Sequence, residues 1–575
     1  MAKHRRRKKK LYTKIFIMEK YGLSKGIIEQ YFPAPIEKID SKGRLVQKWS
    51  ESMITSALRK TPVKRELEKI RKRKEKQEQK RQELRSFLQG FDIERFRSVA
   101  ADMDRKFVLH VGPTNSGKTY DAIKALKESE SGLYLGPLRL LALEMFDNLN
   151  ADGCLCNLIT GEEFINVPGA AFTASTIELC DFSHHYDVAV IDEAQMVADR
   201  NRGDKWLRAI YCVDASEVHI CLAPEARELI LNLLDGFNAS YEVHEHERFT
   251  PLIFEGAFKT IKDARPGDAL IVFSRKAVLA VAAELEQYGI KASVIYGALP
   301  PASRREEIRK FTSHETEVVV ATDAIGMGVS LPIRRIIFCE VSKFDGVYTR
   351  MLLPGEVKQI SGRAGRYGIY DEGYVLSMLE TSHIRQCLDE EVEPVSVITL
   401  PFPEEALDSN YRIDKLLEAW DELPDVPGIV RADMADAIEL YSYLKTYVAG
   451  VDKKTIFKLI ICPFDIKDDD LVAYWHDCSL AIIDDRMLPE PYSGEDTLTE
   501  CERKYRELDI RHQLLRGIGI EEDRIEEKMA LCRKINTFLT ENKEDYLRRC
   551  RRCGRLLPAT YTYGLCEKCF HRQFH

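Results

Sequence analysis

Short apolar runs alternate with helix-forming stretches between residues 91 and 250. Strands buried on both faces of a parallel sheet are continuous apolar runs, whereas half-exposed strands alternate between apolar and polar residues. Five runs are of the continuous kind: FVLHVG (107–112), GLYLGP (132–137), AFTAST (171–176), VAVIDE (188–193) and VHICLA (218–223). The pattern therefore predicts an α/β domain over residues 91–250, with a parallel sheet covered by helices.

A second series of the same kind begins at RPGDA, residues 265–269. The helix-like segment AVLAVAAELEQYG lies between its first two strands. The predicted strands are ALIVF (269–273), SVIYG (293–297), EVVVAT (317–322), RRIIFC (334–339) and YVLSML (374–379). We predict a second α/β domain over residues 251–400, in tandem with the first.

The remaining segments differ in pattern from the two α/β domains. Residues 1–90 are basic and favour helix, so we expect a basic helical extension. Residues 401–545 space their apolar positions as helices do, in segments such as YRIDKLLEAWDEL, which predicts a mainly helical domain. Residues 546–575 are rich in cysteine and arginine and form a separate module.

Length and composition narrow the class of protein. A chain of 575 residues is too long for one core, and 45% hydrophobic with 31% charged residues is typical of globular domains. We find no apolar run long enough to cross a bilayer and no cleavable signal pattern, so we expect no membrane association. Eleven of the fifteen cysteines are scattered, mostly in apolar contexts, which favours a reducing compartment. We predict a cytoplasmic protein.

The net charge of -7 does not by itself indicate a nucleic-acid binder, but the charge is unevenly distributed. Residues 1–18 hold eight Lys/Arg and no carboxylate, and residues 59–85 hold thirteen Lys/Arg against five Glu. This basic front can contact phosphates, or it can be a solvated tail and a solvated helix.

The segment GPTNSGKT, residues 112–119, matches the phosphate-binding loop pattern G-x-x-x-x-G-K-[ST]. It follows a predicted strand and precedes a predicted helix, whose N-terminus favours anions. Lys118 supplies charge to the β- and γ-phosphates of ATP, and Thr119 offers its hydroxyl to Mg²⁺. The predicted ATP-binding residues of the loop are Gly112, Pro113, Thr114, Asn115, Ser116, Gly117, Lys118 and Thr119.

A pair of carboxylates ends the predicted strand of VAVIDEAQ, residues 188–195. Ligands of open α/β sheets bind at the carboxyl ends of strands. Asp192 is predicted to hold Mg²⁺, Glu193 to orient and deprotonate the attacking water, and Gln195 to contact the γ-phosphate or the second domain.

Two arginines three residues apart in QISGRAGRYG (359–368) lie on one face of a helix start. Arg363 and Arg366 are predicted to reach across a cleft to ATP and stabilise charge in the transition state. ATDAIGMGVSL (321–331) precedes them. Its Asp323 and Gly326 are predicted to approach the nucleotide, because glycine permits close backbone contact.

These segments, in this order, resemble motifs I, II, V and VI of superfamily two helicases. Gln359 opens the sixth motif, and the resemblance places it in the catalytic group with Glu193, Asp192, Lys118, Arg366 and Arg363. The chain further resembles the RNA helicase of the mitochondrial degradosome and its bacterial relatives, through TNSGKT, GPLRLLALEMF, YDVAVIDEAQM and YGALPPASRREEIRKF. This resemblance covers about residues 100–460.

The resemblance implies two RecA-like domains and a 3′→5′ motor that loads on a single-stranded tail. Single-stranded or tailed duplex RNA is the implied partner, DNA is an alternative, and an exoribonuclease is a candidate partner. Two features depart from the pattern. The third-motif region reads HICLAPEAREL (219–229) without Ser-Ala-Thr, and the fourth residue of motif II is Gln195 in place of His.

Residues at strand ends of both domains are predicted to contact the nucleic-acid backbone. Each of them can equally cap a helix or bind a structural neighbour. They are Pro137, Arg139 and Thr176 in the first domain, and Ser274, Arg275 and Thr322 in the second.

Four cysteines near the C-terminus, Cys550, Cys553, Cys566 and Cys569, form two Cys-x₂-Cys pairs. Such pairs can place four thiolates around structural Zn²⁺, giving a zinc ribbon-like module. Nearby arginines with Tyr561 and Tyr563 suit RNA contact, and the alternative is a basic protein-docking surface. Disulfides are disfavoured by the single thiols elsewhere.

We therefore predict an ATP-dependent RNA helicase that hydrolyses ATP with Mg²⁺ to translocate and unwind duplexes, in RNA turnover. Two alternatives stay open. One is an ATP-switched RNA clamp or nuclease-recruiting module that does not unwind, and the other is a DNA helicase.

Overall fold

A computed structural model of the chain describes residues 10–39, 44–161, 163–326, 331–345, 348–541, 546–561 and 563–571. The chain forms two compact units, residues 1–90 and 91–575. Within the described ranges, no helix is both long enough and apolar enough to span a membrane.

The N-terminal unit has its own small core, which includes Ile17, Ile28 and Trp49. Its three strands form an antiparallel sheet in the order β1-β3-β2. The prediction of a helical extension is therefore incomplete, because the short polar runs IEKI and LVQKWS pair as strands. The elements are β1 (Leu11–Thr13), α1 (Lys14–Tyr21), α2 (Lys25–Tyr31), β2 (Ile36–Ile39), β3 (Leu45–Ser50), α3 (Glu51–Leu58) and α4 (Thr61–Gln89).

The first α/β domain contains an eight-stranded sheet in the order β11-β4-β10-β9-β5-β8-β6-β7. Its strands are parallel except β7, which runs antiparallel to β6. The elements are α5 (Ile93–Ala101), β4 (Lys106–Val111), α6 (Lys118–Glu128), β5 (Gly132–Gly136), α7 (Arg139–Ala151), β6 (Cys156–Ile159), β7 (Phe164–Ile165), β8 (Phe172–Thr176), β9 (Tyr186–Ile191), α8 (Gly203–Cys212), β10 (Ala215–Leu222), α9 (Arg227–Asp235) and β11 (Ser240–Glu245).

The second α/β domain contains a six-stranded parallel sheet in the order β12-β19-β16-β13-β15-β14. A hairpin, β17–β18, leaves this sheet before the helix that begins the sixth motif. The elements are β12 (Leu252–Ala257), β13 (Asp268–Ile271), α10 (Arg275–Gln287), β14 (Ala292–Ile295), α11 (Pro301–Thr312), β15 (Val318–Ala321), β16 (Arg335–Phe338), β17 (Ser342–Phe344), β18 (Thr349–Met351), α12 (Pro354–Ser361), β19 (Gly373–Ser377) and α13 (Thr381–Asp389). The prediction of two tandem α/β domains is confirmed.

The C-terminal part is mainly helical, with one short pair of parallel strands. Its elements are β20 (Ile398–Leu400), α14 (Ile413–Asp421), β21 (Ile429–Arg431), α15 (Ala435–Leu444), α16 (Lys453–Ile460), α17 (Asp469–Ile483), α18 (Leu498–Gly517), α19 (Ile525–Glu541) and α20 (Glu567–His571). Helices α18 and α19 share one apolar core with β13, β14, β15 and α10 of the second α/β domain. These two helices therefore pack as part of the second domain.

Candidate active site

The phosphate loop lies between β4 and α6. Gly117, which precedes α6, has φ +81°, and Asn115 also lies in the left-handed region at φ +64°. A Cβ at Gly112 would lie 2.7 Å from the carbonyl oxygen of His246, so only glycine fits there. The tight loop leads directly into the N-terminus of α6, and a helix N-terminus favours phosphate binding.

Two side chains of the loop are buried and directed at its interior. Lys118 is 8% exposed, and its Nζ donates a 3.4 Å hydrogen bond to the carbonyl of Pro113. The hydroxyl of Ser116 is buried without a hydrogen-bond partner among the described residues. A buried donor of this kind needs an acceptor, and phosphate oxygens would supply one.

The carboxylates of motif II lie at the carboxyl end of β9, beside the loop. Thr119 Oγ1 donates to Asp192 Oδ1 over 3.3 Å, and the Tyr134 hydroxyl donates to Asp192 Oδ2 over 3.1 Å. Burial, assisted by the neighbouring Glu193, raises the pKa of Asp192 to about 6, whereas Lys118 opposes this shift. Hard oxygen ligands beside the loop are the set that Mg²⁺ prefers.

Gln195 connects motif II to the segment after β10. Its Nε2 donates to the Glu193 carboxylate, and its Oε1 accepts the backbone N–H of Ala223 over 3.1 Å. Ala223 belongs to the segment where the sequence lacks Ser-Ala-Thr. The side-chain amide therefore links the predicted general base to this region, although Ser-Ala-Thr is absent from it.

A cavity of about 540 Å³ opens beside these groups, between α6 and α7. Arg363 of the second domain lines it together with residues of the first, and the Arg363 guanidinium donates to the carbonyl of Gly326 over 2.7 and 3.1 Å. The lining residues are Thr119, Tyr120, Ile123, Lys127, Tyr134, Leu141, Glu144, Met145, Asn148, Ala151, Asp152, Asp192, Glu193 and Arg363.

Charges from both domains meet at this cavity. Burial lowers the pKa of Arg363, and the carboxylates of Glu193 and Asp192 oppose that shift. Burial also raises the pKa of Glu144, against the charges of Arg366 and Arg363. Arg363 thus lies at the cavity with the carboxylates of motif II, and the charges of both arginines act on Glu144.

Two other predicted residues of the second domain make contacts within that domain. Asp323 accepts a 3.0 Å hydrogen bond from Lys343 on β17. Gln359, on α12, packs against Gly326, where an added Cβ would lie 3.6 Å from Gln359 Cγ. Part of the fifth motif, residues 327–330, lies outside the described residues.

The segment that joins the two α/β domains contributes residues that the sequence analysis missed. Arg248 donates to the carbonyls of Thr114 (3.0 Å), Gly362 (2.8 Å) and Thr250 (2.7 Å). Asn115 Nδ2 donates to the carbonyl of Gly365 over 2.8 Å. The connecting segment therefore ties the phosphate loop directly to the sixth motif. A lone arginine in RFTP gave no sequence signal for this role.

Of the six residues predicted to contact nucleic acid, three form hydrogen bonds within their own domain and a fourth is buried. Ser274 caps α10 by accepting the N–H of Ala277, and Thr322 Oγ1 accepts the N–H of Ala324. The Pro137 carbonyl accepts a hydrogen bond from Arg202. Thr176 is buried at the end of β8.

The two arginines among the residues predicted to contact nucleic acid both bind carboxylates of α18. Arg139 donates from both terminal nitrogens to Asp509 Oδ2, each over 3.3 Å. Arg275 lies 2.8 Å from Glu502, whose other oxygen accepts the Tyr296 hydroxyl over 2.5 Å. Helix α18 therefore lies across the strand ends of both domains.

The four C-terminal cysteines converge. The sulfur atoms of Cys550, Cys553, Cys566 and Cys569 all lie within 4.8 Å of one another, and those of Cys553 and Cys566 are 3.7 Å apart. The backbone N–H of Cys566 lowers the pKa of the Cys550 thiol to about 6. A separation of 3.7 Å is far too long for a disulfide and suits four ligands of one ion.

Comparison with known proteins assigns the class of this core. Residues 94–246 match the DEXQ-box helicase domain of Suv3, and residues 254–368 match the helicase conserved C-terminal domain. These matches define a superfamily two helicase core. Within that class, the predicted resemblance to the Suv3-type helicases is confirmed over the two domains of the core. Gln195 is the Q of the DEXQ box, so it is no departure from this family.

Several curated relatives are similar over the core. The chain is 36% identical over 384 residues to the ATP-dependent RNA helicase SUV3L, mitochondrial, of Oryza sativa subsp. japonica, covering 64% of this chain and 52% of that protein. It is 41% identical to SUV3 of Candida albicans (52% and 43%) and 40% identical to SUPV3L1 of Homo sapiens (52% and 40%). The chain spans about half or less of the length of these three relatives.

A solved structure of S. cerevisiae Dbp5 bound to RNA and ADP BeF3 has a TM-score of 0.39 and 14% identity, covering 60% of this chain and 89% of that chain. The three SUV3-type relatives are all named mitochondrial. The prediction of a cytoplasmic protein is therefore wrong. It depended on the scattered single cysteines, and free thiols do not distinguish one reducing compartment from another.

Proposed function

We propose that the protein is an ATP-dependent RNA helicase that hydrolyses ATP to move along a single strand and separate duplexes. One observation carries the proposal: Arg363 of the second domain lines the same cavity as Thr119, Asp192 and Glu193 of the first. A pocket completed by both domains links the state of the nucleotide to the relative position of the domains. The names of the relatives support RNA as the substrate.

The described groups have the chemistry that phosphoryl transfer to water requires. Lys118 supplies positive charge to the β- and γ-phosphates, and Thr119 with Asp192 would hold Mg²⁺, which neutralises phosphate charge when bound. Glu193 orients the water and takes up its proton, while Gln195 fixes the position of that carboxylate. Arg363 faces the charge that develops on the γ-phosphate.

A direct test combines ATP turnover with unwinding of a labelled RNA duplex bearing a 3′ single-stranded tail. We expect single-stranded RNA to stimulate ATP hydrolysis and the tailed duplex to be separated only with ATP. Lys118→Ala should abolish turnover while single-strand binding is retained. Lys124→Ala, an exposed lysine on the same helix, is the matched control and should behave as wild type.

The outcomes separate the alternatives. An intact duplex despite RNA-stimulated hydrolysis would indicate an ATP-switched clamp, and stronger stimulation by single-stranded DNA would indicate a DNA motor. Separation of a 5′-tailed duplex in preference to a 3′-tailed one would contradict the 3′→5′ polarity. Co-purification of an exoribonuclease with the full chain tests the proposed partner. Normal turnover by Lys118→Ala would refute the site itself.

The four cysteines are proposed to bind one structural zinc ion. A tetrahedral ion with bonds of about 2.3 Å to sulfur separates its ligands by about 3.8 Å, close to the Cys553–Cys566 spacing. We expect one zinc per purified chain by elemental analysis, and its loss in Cys566→Ser. The buried Cys478→Ser, outside the cluster, is the control. A zinc content below one half in wild type would contradict the assignment.

A further inference from the structure

The C-terminal cysteine module, residues 546–571, carries an excess of positive charge on its surface. Its described residues include six Lys/Arg side chains and one carboxylate, Glu567. One arginine, Arg548, is used internally, because it donates to the carbonyl of Ala559 over 3.0 Å. Four others are exposed, and none of the ion pairs of the described residues involves them: Arg549, Arg551, Arg552 and Arg555.

Aromatic rings lie beside these charges on the same small module. Tyr563 is 65% exposed, with its ring edge-on to Tyr561 at 5.7 Å between centroids, and Phe570 is 46% exposed. Arginines together with exposed aromatic rings are typical of surfaces that bind phosphates and stack bases of any sequence.

The module is fixed to the second α/β domain. Ala559 is buried in the core that includes Leu285 of α10, and its backbone N–H donates to the carboxylate of Glu284. Glu284 lies nine residues after Arg275, which is about 14 Å along the helix. The basic surface is thus attached near the opposite end of α10 from the strand ends where the core motifs lie.

We propose that the exposed arginines of the cysteine module, with Tyr563 and Phe570, form an auxiliary single-stranded RNA-binding surface that moves with the second domain. This proposal rests on the proposed RNA helicase function. An acidic protein would satisfy the arginines but would leave the exposed rings unexplained, whereas unpaired bases satisfy both. A second binding surface would increase the number of RNA nucleotides that the protein contacts without contributing to ATP hydrolysis.

The test measures binding of a labelled oligouridine to the full chain at several salt concentrations. Arg551→Glu with Arg552→Glu should weaken binding at least fivefold and reduce the slope of log affinity against log salt by about 1.4, at about 0.7 per lost phosphate contact. Tyr563→Ala should weaken binding about fivefold or more with an unchanged slope, because stacking is not ionic.

The matched control is Arg265→Glu with Lys291→Glu, the same change of charge at exposed residues before β13 and β14 of the same domain. Zinc content and thermal midpoint confirm that each variant is folded. Equal affinity and slope in wild type and the module variants would overturn the proposal and leave an acidic protein as the occupant. Absence of RNA binding by wild type would instead refute the proposed function.

Discussion

At the scale of single residues, the site depends on groups that hold the recognised motifs in place. Arg248 bridges the phosphate loop and the sixth motif through the backbone carbonyls of Thr114 and Gly362. Burial lowers the pKa of Arg248 to about 10, so it stays charged at neutral pH. Gln195 has a comparable role between Glu193 and Ala223. Both side chains position catalytic groups from outside the phosphate-binding pattern.

The motifs could be predicted from the sequence because their chemistry requires particular residue types at short spacing. Gly117, Lys118 and Thr119 must be adjacent for one loop to cradle a phosphate. The contacts of Arg248 join residues more than a hundred positions apart. No local pattern encodes such contacts, so they became visible only in the fold.

At the scale of elements, α18 is the feature that ties the two α/β domains together. Glu502, Asp509 and Arg516 are spaced by seven residues, or two helical turns, and lie on one face. Glu502 is held in the second domain by Arg275, Asp509 by Arg139 of the first domain, and Arg516 donates to the carbonyl of Thr160 over 2.7 Å. The apolar side of α18 packs in the core of the second domain. Its hydrogen bonds to the first domain are polar, so they can break and re-form when the two domains move.

From these contacts of α18, we predict that the Asp509–Arg139 pair stabilises the relative position of the two α/β domains in which Arg363 reaches the cavity. Asp509→Asn should lower RNA-stimulated turnover several-fold and raise the KM for ATP, with little change in thermal midpoint, because the pair is partly exposed. Arg139→Gln should have the same effect.

A double-mutant cycle checks the coupling between the two residues. The double variant should lose no more activity than either single variant, because each substitution breaks the same pair. Strictly additive losses would show that Asp509 and Arg139 act independently, and the coupling role of α18 would then be wrong.

The sequence predicted the elements whose pattern is repeated and apolar, and it missed those whose pattern is short or polar. All ten predicted strands of the two α/β domains coincide with strands of the sheets, whereas β6, β7, β11 and β12 were not predicted. The sheet formed by β1, β2 and β3 was missed because its strands are short, and β2 and β3 each carry a lysine in a basic segment. Arg139 and Arg275 were predicted as strand contacts, and their binding to α18 could not be read from a helix some 230 to 370 residues away.

At the scale of the whole molecule, chemistry and movement are joined at one pocket. The first domain supplies the lysine, the hydroxyl and the two carboxylates, and the second supplies Arg363. The connecting segment and α18 each form hydrogen bonds that hold the two α/β domains together. In the proposed motor, ATP is hydrolysed only when both domains are aligned at this pocket, and binding of the RNA strand promotes that alignment.

The most direct measurement is RNA-stimulated ATP hydrolysis by Arg363→Ala, together with the Kd of a non-hydrolysable ATP analogue. The account predicts a Kd within a few-fold of wild type and a kcat lower by about 10³-fold or more, as for other arginines that stabilise phosphoryl transfer. A kcat within a few-fold of wild type would contradict a pocket completed by the second domain.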